Sequence, residues 1–248
     1  LLASPMTKDW DGLGLAIQAY QRRALPALDW VIRATDHYQR KITVRLVKGA
    51  YWDSEIKRAQ EMGLEDYPVF TRKAHSDIGY LAAARKLLAR PDRIYPQFAT
   101  HNAHTAAAII HMAGDQKDLE FQRLHGMGEA LFEAADAGHK VRIYAPVGAH
   151  EDLLPYLVRR LIENGANTSF VHAFLDPDVP VEQVVEDPIA KVEAGPRRHP
   201  RIPTPPRLFG PERSNSTGLD LSQLSARDAI ASAMQKMRDR PVISADHA

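Results

Sequence analysis

Two adjacent arginines, Arg159 and Arg160, stand in an otherwise apolar segment that is predicted to be helical. Neighbouring residues of a helix point about 100° apart, so the two guanidinium groups cannot both face the same solvent side. The forked guanidinium matches a carboxylate through two parallel hydrogen bonds, so one use of the pair is to hold a substrate carboxylate. The alternative is one solvent-facing arginine and one that forms an ion pair with Glu163 or Glu151.

A second group of candidates follows the strand predicted at residues 42–47. The run Lys48-Gly49-Ala50 places an ammonium group and a glycine directly after that strand. Glycine lets the main chain approach a ligand closely, and N–H groups beside a cation suit a phosphate. Thr71 and Lys73 lie at the start of a predicted helix, which also favours anions. A glycine turn beside surface lysines explains the same residues without a ligand.

Histidine and aromatic residues lie at the ends of other predicted strands. His101 and His104 are three residues apart at a helix start, a spacing that brings two imidazoles together. A third ligand at a familiar spacing is missing, so we predict no metal, and either a ligand hydrogen bond or an ordinary helix-start histidine remains. Three aromatic residues can wall a small apolar ring, or can simply pack in the core: Tyr51, Trp52 and Tyr144.

Five strand-like runs, each followed by helical runs, position these residues. The predicted strands are residues 14–20, 42–47, 96–100, 120–125 and 141–145. The predicted helices are residues 26–38, 54–62, 71–89, 103–112, 128–137 and 151–164. We expect the last helix to turn five apolar residues inward: Leu153, Leu154, Leu157, Val158 and Leu161. This alternation predicts a parallel sheet with helices outside it.

Polar residues at alternate positions of the strands, such as Arg45, Gln97, Gln122 and Arg142, narrow the fold class. A doubly wound sheet prefers continuously apolar strands, whereas polar strand residues fit a barrel whose mouth holds a site. We therefore predict an α/β fold, a TIM-like (β/α)8 barrel. Only about five of the eight βα units fit into residues 1–175, so we expect the C-terminal part of a barrel from a longer protein.

The composition changes after that point. Residues 176–218 are rich in proline and dotted with arginine, which predicts a linker or an extended arm. Residues 219–248 begin a following region, with a short helix expected from about Ala226 to Arg240. The net charge of +1 excludes an electrostatic nucleic-acid binder. The chain has no cysteine, which excludes disulfides, thiolate metal sites and a catalytic thiol.

Five motifs in this order resemble the proline dehydrogenase family, in the form of the flavoprotein domain of bifunctional proline utilization A. They are RLVKGAYWD at 45–53, FATHN at 98–102, LHGMG at 124–128, RIYAPVG at 142–148 and YLVRRLIENGAN at 156–167. The resemblance covers about residues 10–172. Residues 208–220 are similar to the connector that leads into the aldehyde dehydrogenase half of such enzymes.

The resemblance implies a distorted (β/α)8 barrel that holds FAD. It implies oxidation of L-proline to pyrroline-5-carboxylate by hydride transfer from ring C5 to flavin N5, with electrons passed to a membrane quinone. By position, the implied catalytic residues are Arg45, Tyr144, Arg159 and Arg160. Proline would contact Tyr51, Leu124, Tyr144, Arg159 and Arg160. FAD would contact Gln18, Arg45, Val47, Lys48, Gly49, Ala50, Trp52, Thr71, Lys73, Thr100, His101, Asn102, Glu163 and Phe170.

Within the FAD set, Gln18 and Arg45 resemble the residues that meet the flavin ring. Those that resemble the adenosine contacts are Trp52, Glu163 and Phe170. The resemblance further implies a bacterial-type cytoplasmic enzyme, peripherally associated with a membrane and homo-oligomeric when complete. NAD would serve only the aldehyde dehydrogenase half, and no nucleic acid would bind this region.

The chain also departs from the family pattern. The family barrel has three strands before residues 14–20, with a lysine and an aspartate of the substrate site, and these are absent here. We therefore expect this stretch alone to fold poorly and not to oxidise proline. Two other functions stay open: a Schiff-base aldolase-type barrel with Lys48 as nucleophile, or an inactive fragment that serves as a structural, dimerising element.

Overall fold

The computed structural model describes residues 1–10, 12–135, 138–165, 178–180, 182 and 186–238, with only the main chain of residues 161–165. The chain divides into two units. The first unit consists of Leu1–Trp52 and Pro68–Ile202, and the second of Asp53–Tyr67 and Pro203–Ala248. The sheet and all the candidate site residues discussed below belong to the first unit.

Five short apolar or β-branched runs form one parallel sheet. The strands are β1 (Gly14–Gln18), β2 (Ile42–Val47), β3 (Ile94–Ala99), β4 (Glu120–Leu124) and β5 (Lys140–Tyr144). They lie in the order β1-β2-β3-β4-β5, and every pairing is parallel. A sequential order without a reversal is that of a βα barrel sheet and differs from a doubly wound sheet. The predicted α/β class with a parallel sheet is confirmed.

Helices follow the strands as the sequence predicts. They are α1 (Ala24–Tyr38), α2 (Trp52–Glu61), α3 (Lys73–Leu88), α4 (Ala103–Ala113), α5 (Glu129–Ala134), α6 (His150–Gly165), α7 (Pro188–Glu193) and α8 (Leu224–Arg238). Helix α7 lies inside the segment predicted as an extended linker. Its start is fixed by Pro188 at the first position and by Asp187, whose Oδ1 accepts from the Ile189 N–H at 2.9 Å. Six residues of that segment are therefore helical.

Successive side chains of each strand point alternately to the face of the sheet that the helices cover and to the opposite, inner face. On β2, Val44 and Leu46 are fully buried and pack with Leu28 of α1, Tyr80 of α3 and other core residues. The Tyr80 hydroxyl lies 3.2 Å from the Leu46 carbonyl oxygen and 3.1 Å from that of Ala99. Burial raises the pKa of this hydroxyl, so it stays protonated and can donate. Helix α3 is thereby fixed against the carboxyl ends of two strands, where the candidates lie.

The opposite side of the sheet, which we call the inner face, carries the polar strand residues. In the parallel pairing Gln18 stands beside Val47, Gln122 beside Arg142, and Leu124 beside Tyr144. Arg45 stands beside Gln97 on the same face. Side chains of paired residues point to the same side of a sheet. The inner face thus collects five predicted site residues: Gln18, Arg45, Val47, Leu124 and Tyr144.

The prediction that helix α6 turns its apolar residues inward is wrong for three of them. Leu154, Leu157 and Val158 are 51%, 53% and 47% exposed, and Leu153 is only partly buried. An apolar stripe is buried only where a second element covers it. Nothing in the described part of the chain covers these three side chains. Leu161 lies outside the described side chains.

The second unit joins α2 to residues of the proline-rich segment. The Tyr67 hydroxyl donates to the Pro203 carbonyl at 2.8 Å, and the Asn215 amide donates to the Gln60 carbonyl at 2.8 Å. Helix α8 belongs to the same unit and is mostly exposed, including Met237. Its bounds, Leu224–Arg238, are close to those of the helix expected from Ala226 to Arg240. Within the described residues, no helix has both the length and the apolar character needed to cross a bilayer.

Candidate active site

A row of arginine and tyrosine side chains joins the inner face to helix α6. The guanidinium carbon of Arg45 lies 5.4 Å from the centre of the Tyr144 ring. That ring lies 6.3 Å from the Tyr156 ring, and Arg160 lies over Tyr156 at 5.4 Å. Arg159 lies over the Tyr51 ring at 5.2 Å. Aromatic faces stabilise these cations and fix the direction of each guanidinium without occupying its N–H groups. Arg159 therefore lies against a predicted wall residue, Tyr51, whereas Arg160 is connected to the predicted wall residue Tyr144 only through Tyr156.

Arg45 is also the end of a hydrogen-bonded network on the inner face. Its Nε donates to Gln122 Oε1 at 2.6 Å, and Gln122 Nε2 donates to Glu120 at 2.8 Å. Glu120 is 1% exposed and forms a two-point ion pair with Arg142, at 2.7 and 2.8 Å. Burial raises the pKa of Glu120, but the hydrogen bonds from Arg142 and Gln122 outweigh it and hold the pKa below its ordinary value. Sequence reasoning gave Glu120 no role, although its two-residue spacing from Gln122 places both on one face.

The lysines after β2 and at the start of α3 share one carboxylate. Lys48 forms an ion pair with Asp77, and Lys73 Nζ lies 2.9 Å from the other oxygen of Asp77. Burial lowers the pKa of Lys48, and Asp77 opposes that effect. Burial raises the pKa of Asp77, but the two ammonium groups outweigh it, so the net direction is downward. The three groups carry a net charge of +1, which attracts a phosphate.

His101 sits at the end of β3 as a neutral hydrogen-bond acceptor. Its Nε2 accepts from the main-chain N–H of Leu124 at 3.0 Å. Burial, and after it the charges of Arg160 and Arg123, lowers the pKa of His101 to about 4. The proton of the neutral ring therefore lies on Nδ1, which leaves one N–H to donate. Among the described residues, no three His, Asp or Glu side chains gather as a metal site requires.

The residues beside His101 shape its loop. Thr100 Oγ1 accepts from the Asn102 N–H at 3.1 Å. Asn102 Oδ1 accepts from the Thr105 N–H at 2.8 Å and caps helix α4. Both side chains thus have local structural partners, which hold His101 at the carboxyl end of the strand.

Gly49 occupies a position that only glycine tolerates. Its φ is +127°, and a Cβ there would lie 2.5 Å from the ring of buried Tyr20. The chain then turns through Ala50 into α2, where the indole N–H of Trp52 donates to the Phe70 carbonyl at 2.8 Å. Of the three predicted aromatic wall residues, Tyr51 meets Arg159 and Tyr144 meets Arg45, whereas Trp52 is tied to the segment before α3.

Lys73 lines a cleft against the segment after residue 186, and Thr71 contacts one of the other lining residues, His199. Thr71 Oγ1 accepts from the His199 N–H at 3.0 Å, and Arg72 donates to the carbonyls of Pro196 and Lys191. The cleft has a volume of about 400 Å³. Its lining residues are Arg72, Lys73, Ala74, Glu186, Lys191, Ala194, Gly195 and His199. The proline-rich segment therefore reaches one of the predicted anion sites.

Two predicted FAD contacts cannot be placed, and besides Glu120 two further residues near the candidate site were not assigned a role by the sequence analysis. The Glu163 side chain and Phe170 lie outside the described residues. Tyr156 was not assigned a role, although it is one helical turn before Arg160 and so shares its face. Asp77 was also missed, and its spacing of four residues from Lys73 was the available signal.

The donor set fits a dinucleotide that carries a diphosphate. The inner face offers the Arg45 guanidinium and the Gln18 amide, which suit the polar edge of a flavin. The carboxyl ends of the strands offer the lysine cluster, the His101 Nδ1–H and the close main-chain approach at Gly49, which suit phosphates. Trp52 offers a flat ring beside them. These residue types can hold FAD.

The proline dehydrogenase family profile matches residues 1–173, so the chain belongs to the proline dehydrogenase family. It is similar to the bifunctional protein PutA of Salmonella typhimurium, with 50% identity over an alignment of 265 residues that covers 98% of this chain and 20% of that protein. It is 31% identical over 158 residues to a mitochondrial proline dehydrogenase 2 of Arabidopsis thaliana, covering 60% of this chain and 33% of that protein.

Among solved structures, a mutant of proline utilization A from Bradyrhizobium japonicum superposes with a TM-score of 0.89 and 54% identity. The match covers 95% of this chain and 25% of that one. The chain spans about a fifth of the length of the bifunctional relative from Salmonella typhimurium. The predicted resemblance to the proline dehydrogenase domain of proline utilization A is confirmed.

Proposed function

We propose that this chain forms part of the active site of an FAD-dependent proline dehydrogenase, which oxidises L-proline to pyrroline-5-carboxylate as the first step of proline catabolism to glutamate. The observation that supports this function best is the row of arginines and tyrosines between the inner face and α6. It places two paired cations, Arg159 and Arg160, beside aromatic rings that suit a small apolar ring bearing a carboxylate.

The chain's own residues bind and orient the substrate. Arg159 and Arg160 hold the carboxylate, and the ring is walled by Tyr51, Leu124 and Tyr144. The nitrogen lone pair forms the C=N bond as the C5–H bond breaks, so the amine must first lose its proton. Positive charge beside the substrate favours the deprotonated amine, because like charges disfavour a second cation. The released proton passes to solvent.

The cofactor residues divide by the part of FAD they hold. Gln18, Arg45 and Val47 face the flavin ring, where Arg45 stabilises negative charge. The phosphates and ribitol are held by Lys48, Gly49, Ala50, Thr71, Lys73, Thr100, His101 and Asn102. The adenosine is held by Trp52, Glu163 and Phe170. FAD bound by these residues would supply a hydride acceptor for C5 and a route for the electrons to a membrane quinone.

The complete protein would have further parts. Residues 1–175 are the C-terminal part of the barrel, residues 176–218 a linker, and residues 219–248 the start of the region leading to an aldehyde dehydrogenase domain that uses NAD. We propose a homo-oligomeric, bacterial-type enzyme that is cytoplasmic and touches the membrane peripherally to reach its quinone.

The test is a visible absorption spectrum of the whole protein, purified and kept without oxygen. Oxidised flavin bands that bleach on addition of L-proline are the expected result. L-Proline amide, which lacks the carboxylate, should bleach the bands far more slowly because it offers Arg159 and Arg160 no anion. A colourless protein, or flavin bands that L-proline leaves unchanged, would refute the function. Borohydride trapping of a carbonyl compound on Lys48 would support the aldolase alternative instead.

A further inference from the structure

Glu120 is the most connected side chain of the inner face. It is buried within β4, and its Oε1 accepts from Arg142 Nε at 2.7 Å and from Gln97 and Gln122, each at 2.8 Å. Its Oε2 accepts from Arg142 Nη2 at 2.8 Å and from the Tyr95 hydroxyl at 3.2 Å. Four neighbouring strand positions therefore converge on one carboxylate. Burying a carboxylate lowers the stability of the fold unless hydrogen bonds and an ion pair replace the lost water. A buried carboxylate at this position is therefore a candidate for a functional role.

The donor and acceptor rules fix the orientation of Gln122. Arg45 has only N–H donors, so the atom that faces its Nε at 2.6 Å must be the Gln122 carbonyl oxygen. The ionised Glu120 has only acceptors, so the atom that faces it at 2.8 Å must be the Gln122 amide nitrogen. The Gln122 amide thus couples Glu120 to Arg45, because its nitrogen donates to Glu120 while its oxygen accepts from Arg45. A carboxylate at position 120 selects the amide rotamer that presents an acceptor to Arg45.

The negative charge of Glu120 is balanced by a residue other than Arg45. Arg142 balances Glu120 through a two-point ion pair. Neutral Gln122 lies between Arg45 and that ion pair, and it accepts a hydrogen bond only from the Nε of Arg45. Arg45 therefore keeps its positive charge and its remaining N–H groups for another partner.

We propose that Glu120 is a positioning residue, which acts through Gln122 to hold the Arg45 guanidinium at the flavin edge and so sets the reduction potential of the bound flavin. This inference rests on the proposed function. An arginine held at that edge stabilises the negative charge of the reduced flavin, whereas a mobile one does so less.

The test compares Glu120→Gln, Gln122→Met and the double variant Glu120→Gln/Gln122→Met in the flavin-loaded whole protein. An amide at 120 can offer an N–H to Gln122, which turns the acceptor away from Arg45. We expect a more negative flavin midpoint potential and a rate constant for flavin reduction by L-proline lowered about tenfold, with little change in KM, as for other supporting partners of a site. Gln122→Met removes the acceptor that faces Arg45, so we expect the same shift toward a more negative potential, and the double variant should shift the potential no further.

Tyr95→Phe is the matched control. It removes one hydrogen bond to Glu120 on the oxygen that does not face Gln122, so the potential should stay at the wild-type value. A Glu120→Gln protein with wild-type potential would overturn the inference, and so would an equal shift in Tyr95→Phe. If Glu120→Gln does not fold, Gln122→Met decides: a more negative potential supports the inference, and a wild-type potential overturns it. A wild-type protein that binds no flavin would instead overturn the proposed function, and the inference with it.

Discussion

Acidification should weaken the loop between β3 and α4 through a single histidine. His101 accepts the Leu124 N–H through Nε2, and a protonated ring cannot accept it. Burial, followed by the charges of Arg160 and Arg123, lowers the pKa of His101 from 6.5 to about 4. In the unfolded chain the ring returns to its ordinary pKa. The unfolded state therefore binds the extra proton first as the pH falls.

The size of the effect follows from these two pKa values. At about 1.36 kcal/mol per pKa unit, the difference between 6.5 and about 4 corresponds to roughly 3 kcal/mol. Above pH 6.5 the ring is neutral in both states, so its titration does not change the free energy of unfolding there. The free energy of unfolding should fall progressively between pH 6.5 and pH 4, and this contribution should level off below pH 4.

The assay is urea unfolding at a series of pH values for the wild-type protein and for His101→Gln. Glutamine can accept the same main-chain hydrogen bond but does not titrate. We expect the wild-type protein to lose about 3 kcal/mol more than this variant between pH 6.5 and pH 4. The matched control is His104→Gln, in the first turn of α4, which keeps His101 and should therefore follow the wild-type curve. Parallel curves for wild type and His101→Gln would refute the reasoning, and exchange of the Leu124 amide hydrogen checks the same site directly.

Three further substitutions test other parts of the site. Gly49→Ala should lower the free energy of unfolding by about 2–4 kcal/mol, because it combines a strained φ with a clash against Tyr20; thermal denaturation measures this. Asp77→Asn should cost about 1–3 kcal/mol, below the 3–5 typical of fully buried pairs, because the side chains of Asp77 and Lys48 are 17% and 26% exposed. Arg159→Lys should raise the KM for L-proline about tenfold with a smaller change in kcat, because lysine lacks the two-point contact; steady-state kinetics measures it.

Each of these substitutions has a control within the chain. Gly126 also has a positive φ but has open space around it, so Gly126→Ala should cost less than Gly49→Ala. Equal losses would contradict the clash. Lys41→Met, at an exposed ion pair with Asp118, should change stability by less than 1 kcal/mol, and a loss as large as that of Asp77→Asn would contradict the importance of burial. Arg85→Lys, at an exposed position of α3, should leave KM unchanged.

Much of the fold could be predicted from local sequence periodicity. The β-branched run at residues 42–47 forms β2 with the predicted bounds, and the polar residues at alternate positions lie on one face of the sheet. The order of βα units predicted the parallel sheet. Helix α7 was not predicted, because the proline content of its surroundings hid a favourable start at Asp187 and Pro188. The exposure of Leu157 was also not predictable, because it depends on what covers the helix.

The sequence by itself determined which residue types stand at the ends of the strands, since a strand's period of two residues and a motif's spacing are local properties. It also determined the family, because the five family motifs can be recognised in the sequence without a structure. Only the tertiary structure decided how those residues pair. Lys48 meets Asp77 across 29 positions, and Arg45 meets Gln122 across 77. Such contacts depend on strand register and on the helix that crosses between strands, so no local pattern specifies them.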